Sequence, residues 1–417
     1  MKSDKQNLLK NTIALAIIQI LNYALPFITL PYLSRVLDVD KLGLVFFAQV
    51  FMDYFYRLAM FGFDFSGVRT IAINRDDKEA TNLIFNSILS VQVIFLIISF
   101  VILSFLILFV DKFRSDWLVY YFTFLSVIGN VLIFTWFYQG MERMKFITIL
   151  NIVTKTASTL LIFCFIKHAS DYFLVPLFNS LGAILAGVIS LFFVKNVFNI
   201  KLYIPSKDNI INTFKYSGQF FLTKVAIALY RQTNAFVLGL VITTTAVAYY
   251  VSADRIFWAV FALYNTFIGA LFPYMSKSKD IVFFKKLLKY LIIFAVGFGL
   301  FLIVAAKYLI IIFFSEKMLP SVNILRIFAI SFPLYVFVDT FGFPLLGAFG
   351  YVKETNSGYI VGGIYNFCGL LMLYLLNHIT IYSVAILVSS TYIIIFLHRM
   401  YYIHKYKLLA KEESEIS

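Results

Sequence analysis

The chain has 417 residues, of which 61% are hydrophobic, 19% aromatic and 13% charged, with a mean hydropathy of +0.89 and a formal charge of +14. Charged residues make up about a quarter of an average soluble domain, so this composition excludes a water-soluble globule, and the 49 Phe and 27 Tyr suit lipid-facing and interfacial surfaces. The positive balance does not point to nucleic acid, because basic residues flanking apolar spans set topology and no basic, aromatic-interleaved soluble domain is available to carry such a site.

Lys2, Lys5 and Lys10 precede an apolar run from Asn11 to about Val36. That run is longer than a signal h-region and lacks a small-x-small cleavage site, so the first helix is expected to remain as an anchor. From Pro26 to Arg75 the chain forms an antiparallel hairpin: Arg35, Asp38, Asp40 and Lys41 make a charged corner, and the second apolar run carries Asp53 and Arg57. Further segments of bilayer length follow at about 83–110, 117–139, 146–167, 172–194, 214–241, 245–275, 287–314, 321–347, 356–377 and 379–398. Together with 11–36 and 42–63 they predict an all-α polytopic membrane protein of about twelve transmembrane helices. The longest polar connections, Arg69 to Thr81 and Asn196 to Asn212, read as linkers. Pro26, Pro31, Pro333 and Pro344 break or kink spans. Gly362-Gly363 and Gly297-x-Gly299 permit close helix packing. Cys164 and Cys368 sit inside apolar runs and are expected as free, buried thiols. His168, His378, His398 and His404 lie near span ends, so neither a metal site nor a catalytic centre is expected.

An internal repeat recurs at an offset of about 205: Leu37-x5-Gly43-Leu44-Val45-Phe46-Phe47-Ala48-Gln49 aligns with Ile242-x5-Ala248-Tyr249-Tyr250-Val251-Ser252-Ala253-Asp254. Gln139-Gly140-x4-Lys145 pairs similarly with Leu346-Gly347-x5-Lys353. The repeat predicts two six-helix lobes, residues 1–200 and 201–417, related as a parallel repeat because an even number of spans preserves orientation. With the N-terminus inside, Lys and Arg divide 22 to 7 between the two surfaces, which places both termini in the cytoplasm.

Six basic residues belong to neither surface: Arg57, Lys155, Lys224, Arg231, Arg255 and Arg326. A charge at the bilayer centre costs about 2.5–3.5 kcal/mol by insertion scales, so these must face protein or water. Gln49, Asp53 and Arg57 recur every four residues, and Lys224 and Arg231 lie seven apart, so each set shares one helical stripe. Asp53 with Arg57 suits an intrahelical pair as well as a substrate contact, and Arg326 is close enough to its helix start to snorkel. Lys224, Arg231, Arg255, Lys155 and Arg57 are the candidates for a water-filled, net-cationic chamber between the lobes, with Asp53, Asp254 and Asp339 available for coupling or charge pairing.

Leu30-Pro31-Tyr32-Leu33-Ser34-Arg35-Val36-Leu37, Phe61-Gly62-Phe63-Asp64-x4-Arg69, Asn74-Arg75-Asp76 and Trp136-Phe137-Tyr138-Gln139-Gly140-Met141-Glu142 resemble the Wzx-type O-antigen and polysaccharide flippases. These form part of the multidrug/oligosaccharidyl-lipid/polysaccharide (MOP) exporter superfamily. The resemblance implies translocation of an undecaprenyl-pyrophosphate-linked oligosaccharide across the bacterial inner membrane by alternating access, with no cofactor and with proton or sodium coupling left open. It also implies membrane lipid, a polysaccharide polymerase and chain-length proteins as partners. A multidrug or cation extruder on the same fold is the alternative, though it would favour internal carboxylates. A membrane-embedded glycan polymerase or glycosyltransferase would need a larger loop or a clustered acidic site.

Overall fold

The computed structural model describes residues 26–409, leaving aside the side chains of residues 26, 27, 222–231, 263, 266 and 270. Among the described residues every regular element is a helix. Eight are long and apolar enough to cross a membrane, and two bent pairs raise the number to ten: Thr244–Ala262 with Phe267–Ser278, and Ser321–Ile330 with Phe332–Gly347. The two remaining expected spans are the first, which begins outside the described residues, and the seventh. The seventh consists of Lys207–Arg231 and Thr233–Val241, and its first turns are too polar to register as apolar. Contacts divide the chain into Met1–Val225 and Ala226–Ser417. This division falls later than residue 200, because the start of the seventh span packs inside the first unit.

The repeat reappears in the elements. Val39–Met60 starts from Asp38 and Thr244–Ser278 from Thr243, 205 residues apart. The third span, Lys78–Phe109, has 32 residues and is capped by Asp77; the ninth, Ile281–Phe313, has 33 and is capped by Asp280. Breaks recur at matching places, in the second and fourth spans and again in the eighth and tenth.

The second span breaks at Phe61 and Gly62, which have φ of 39° and 79°. Such left-handed backbone is ordinary for glycine and costly for phenylalanine. What holds Phe61 there is a ring stack: Phe95, Phe214 and Phe221 all have centroids within 4.8 Å of its own. The chain then turns into the helix Phe63–Asn74, where Ser66 Oγ and Ser217 Oγ share a buried hydrogen bond of 2.8 Å. The fourth span breaks at Phe134, φ 49°, and restarts as Thr135–Gly140. Trp136, Phe137 and Tyr138 are fully buried. A Cβ on Gly140 would meet Ile71 Cβ at 2.6 Å, and one on Gly67 would meet Trp136 at 2.9 Å. The two broken spans therefore interlock through glycine-depth contacts, and Trp136-Phe137-Tyr138 is core.

Two expectations need correction. Cys164 and Cys368 are free but exposed; a span apolar on all sides does not reveal which face turns inward. The last helix runs from Ile381 to Lys405, past the expected end at 398, so Arg399 lies within it and not in the basic flank.

Gly62 and Gly297 test the account of the breaks. A Cβ at Gly62 would lie 2.9 Å from Phe220 Cβ, whereas nothing lies within 4 Å of one at Gly297. Gly62→Ala should cost about 1–3 kcal/mol, lowering the unfolding temperature followed by tryptophan fluorescence in detergent. Gly297→Ala should leave it unchanged or raise it, by no more than about 1 kcal/mol of helix propensity.

Candidate functional site

In the first unit the second span carries Gln49, Asp53 and Arg57 along one stripe. Arg57 Nε donates to Asp53 Oδ2 at 2.8 Å, and both side chains are about one-third exposed, at 32% and 30%. An i,i+4 pair of this kind contributes only about 0.3–0.5 kcal/mol, so its main effect is to neutralise two charges inside an apolar helix. Beside it lies a cavity of about 310 Å³ lined by Gln49, Asp53, Tyr56, Thr123, Ser126 and Asn130. Thr123, Ser126 and Asn130 donate to carbonyls of their own helix, those of Val119, Thr123 and Ser126. The hydroxyl protons of Thr123 and Ser126 and one of the two Asn130 amide protons are thus spent within the helix, and oxygen acceptors remain to line the cavity beside the Asp53 carboxylate. Such a surface takes hydrogen bonds from hydroxyl groups. Lys155, on the helix Met144–Phe165, is half-buried.

In the second unit, Asp254 Oδ1 accepts from Trp258 Nε1 at 3.0 Å, and the adjacent Arg255 is half-buried. Asp339 Oδ1 accepts from Tyr359 Oη at 3.1 Å. Arg326 is exposed and donates to Asn323 Oδ1 at 3.3 Å. Lys224 and Arg231 belong to the helix Lys207–Arg231, but their side chains lie outside the described residues. Among the described residues, Asp53 and Arg57 are expected residues that meet directly.

Sequence reasoning missed Arg399. Its side chain is fully buried and donates through Nη1 to the carbonyl of Val338 and through Nη2 to that of Thr355 at 3.3 Å. The guanidinium also stands 4.5 Å from the centre of the Tyr359 ring, so Tyr359 touches both Arg399 and Asp339. All of this surrounds the break in the tenth span, where Gly342 is non-helical and Pro344 has no amide proton. Gly342 leaves room: a Cβ there would meet Arg399 Nη1 at 2.7 Å. The signal was the spacing of Tyr392, Ile395, Arg399 and Ile403, all buried on one helical face.

Losing one partner from a buried charge cluster costs about 3–5 kcal/mol. Arg399→Met should accordingly lower the tryptophan-reported unfolding temperature, and Arg399→Lys should restore less than half of the loss because two carbonyls in different directions need a fork. Adding Asp339→Asn to Arg399→Met should cost less than the two single losses combined.

Comparison with known proteins agrees with this architecture. The family described as "Polysaccharide biosynthesis protein" matches residues 8–279. The chain is 26% identical over 370 residues to a "Putative O-antigen transporter" of Escherichia coli (strain K12), covering 87% of this chain and 89% of that protein. It is 28% identical over 290 residues to a protein of the same description from Shigella dysenteriae, covering 69% and 72%. Among solved structures, the lipid II flippase MurJ in an inward closed conformation superposes with a TM-score of 0.69 at 17% identity, over 96% of this chain and 89% of that one. An inward-facing multidrug resistance MATE family transporter of the MOP superfamily gives 0.64 at 15% identity, over 96% and 100%. The two structural likenesses establish the shared twelve-helix, two-lobe fold, and with more than half of its length matched the chain belongs to the polysaccharide biosynthesis protein family.

Proposed function

We propose that the protein moves an undecaprenyl-pyrophosphate-linked oligosaccharide from the inner to the outer leaflet of a bacterial inner membrane by alternating access, with both termini in the cytoplasm. The observation that carries this reading is the likeness, over 87% of the chain, to a protein named as an O-antigen transporter. The internal cations supply the chemistry. Pyrophosphate is a compact polyanion, and Arg or Lys held in a water-filled chamber attracts it through charge-assisted hydrogen bonds without metal or covalent steps. Lys224, Arg231, Arg255 and Lys155 take that role, while Arg57 is partly satisfied by Asp53. The oxygen-rich cavity beside Asp53 suits the hydroxyls of a glycan. Polymerase and chain-length proteins are the partners that would consume the product, and the coupling ion, if the cycle uses one, is a proton or sodium.

Charge sign separates this reading from a cation extruder. In a strain lacking the chromosomal copy, Arg231→Lys should retain part of the surface polysaccharide. Arg231→Ala should lower transport about 10–100-fold, the loss of a charged hydrogen bond worth about 1.5–3 kcal/mol. Arg231→Glu should abolish transport while membrane protein level stays near that of the parent. Normal polysaccharide with Glu at 231, 224 and 255 would overturn the chamber.

Orientation has its own test. With Cys164→Ser and Cys368→Ser as background, single cysteines within 74–78 and 199–207 should react only after permeabilisation, and those within 111–115 should react with impermeant maleimide in intact spheroplasts. The reverse pattern would reject both the charge bias and the proposed direction of transport.

A further inference from the structure

A second cavity, of about 390 Å³, opens at one end of the first unit, where the turns after the second and fourth spans meet the segment that follows the sixth. Its volume falls within the range of ligand pockets, about 300–1,000 Å³. Four cations line it, Arg75, Lys78, Arg143 and Lys145, and no carboxylate does. Arg75 Nη1 is engaged by Glu142 Oε1 at 2.6 Å. Lys78, Arg143 and Lys145 are exposed and form no ion pair among the described residues.

Two features suggest that an anion belongs here. The helix Met144–Phe165 starts at the cavity with Arg143 at its N-cap and no side-chain cap. In the third span, by contrast, Asp77 accepts from the amides of Glu79 and Ala80. A helix start with no side-chain cap, surrounded by cations, favours negative charge through its dipole. The frame is also fixed in advance. Asn82 Oδ1 accepts from the amide of Lys201 at 2.7 Å, and Asn86 donates to the Lys201 carbonyl at 2.8 Å and accepts from the Tyr203 amide at 3.0 Å. These bonds clamp the segment after the sixth span to the start of the third. The opposite wall is apolar, formed by Phe137, Phe146 and Phe198, and Lys145 Nζ stands 5.1 Å from the centre of the Phe146 ring.

We propose that this cavity is a phosphate-binding site for a lipid headgroup at the membrane face, held by Lys78, Arg143 and Lys145 with the aromatic wall against the rest of the head. Two sources share that chemistry, the pyrophosphate of a lipid-linked glycan and the phosphodiester of an anionic phospholipid. The site does not rest on the transport reading: it lies wholly within the first unit, and binding is measured without translocation.

The test uses the purified full-length protein in a non-ionic detergent. Inorganic pyrophosphate, dihexanoyl phosphatidylglycerol and dihexanoyl phosphatidylcholine are titrated calorimetrically at two salt concentrations. Lys78→Gln/Arg143→Gln/Lys145→Gln should weaken binding of the anionic probes by about tenfold or more, with affinity in the parent falling as salt rises. Lys285→Gln/Lys286→Gln/Lys289→Gln, which removes three exposed cations from the second unit, should bind as the parent does. Tighter binding of pyrophosphate identifies the glycan carrier as the source, and tighter binding of phosphatidylglycerol identifies the phospholipid. If the triple variant loses its unfolding transition, Arg143→Gln alone gives the same reading. The site is overturned if the parent binds neither anion, if it binds phosphatidylcholine as well as phosphatidylglycerol, or if the folded variant binds as tightly as the parent.

Discussion

Hydrocarbon offers no hydrogen bonds, so every backbone donor and acceptor freed inside a span has to be met by another part of the chain. A continuous helix meets this demand by itself. This chain breaks several spans, and the tertiary structure is built around the breaks. At the fourth span Ser190 Oγ donates to the carbonyl of Ile133 at 3.0 Å, and Tyr138 Oη donates to that of Ser190 at 3.1 Å. At the tenth, Tyr264 Oη reaches the carbonyl of Val336 at 2.8 Å, and Arg399 joins the carbonyl of Val338 to that of Thr355 on the next helix. Side chains from other helices reach backbone carbonyls at the breaks and on the helices packed beside them, which ties the helices of each unit together more specifically than apolar contact does.

This constraint explains which residues made the sequence recognisable. Phe61-Gly62-Phe63 and Trp136-Phe137-Tyr138 carry the resemblance to polysaccharide flippases, yet in the structure they form breaks and the cluster that packs on them. Phe61 is held by stacked rings, and Tyr138 satisfies a neighbouring carbonyl. Motifs of this kind report how the lobe folds.

Hydropathy made the helices legible because each span repeats its apolar signal over some twenty residues, and their order along the chain matches the elements found. The pair of Asp53 and Arg57 was equally legible, since partners four residues apart meet in any helix. Arg399 was not. Its partners, Val338, Thr355 and Tyr359, come from other helices and are brought to it only by the bend at Gly342. Lacking that bend, a basic residue near the end of an apolar run looks like a topological flank. The basic cavity of the first unit escaped for the same reason, as it is assembled from three connections far apart in sequence. The exposed cysteines went astray on a different ground: in lipid, the outer surface of a helix is as apolar as its packed face, so the pattern that distinguishes buried from exposed positions in water is missing.

The pairing of internal charges bears on how such a protein works. An unpaired cation in a span is expensive, and an unpaired cation that grips a polyanion is slow to release it, whereas a carrier has to do both within one cycle. A carboxylate close by eases both problems. Asp53 on Arg57 reduces the cost of keeping that cation in the membrane. Arg399 represents the opposite solution, with its guanidinium buried and committed to carbonyls that are part of the fold. Half-exposed cations with a carboxylate at hand are suited to exchange partners; a cation sealed against backbone oxygens is suited to hold a bent helix in shape. On this basis Arg399 belongs with the frame, although it looks like Arg57 and Arg255 as a single basic residue in an apolar sequence.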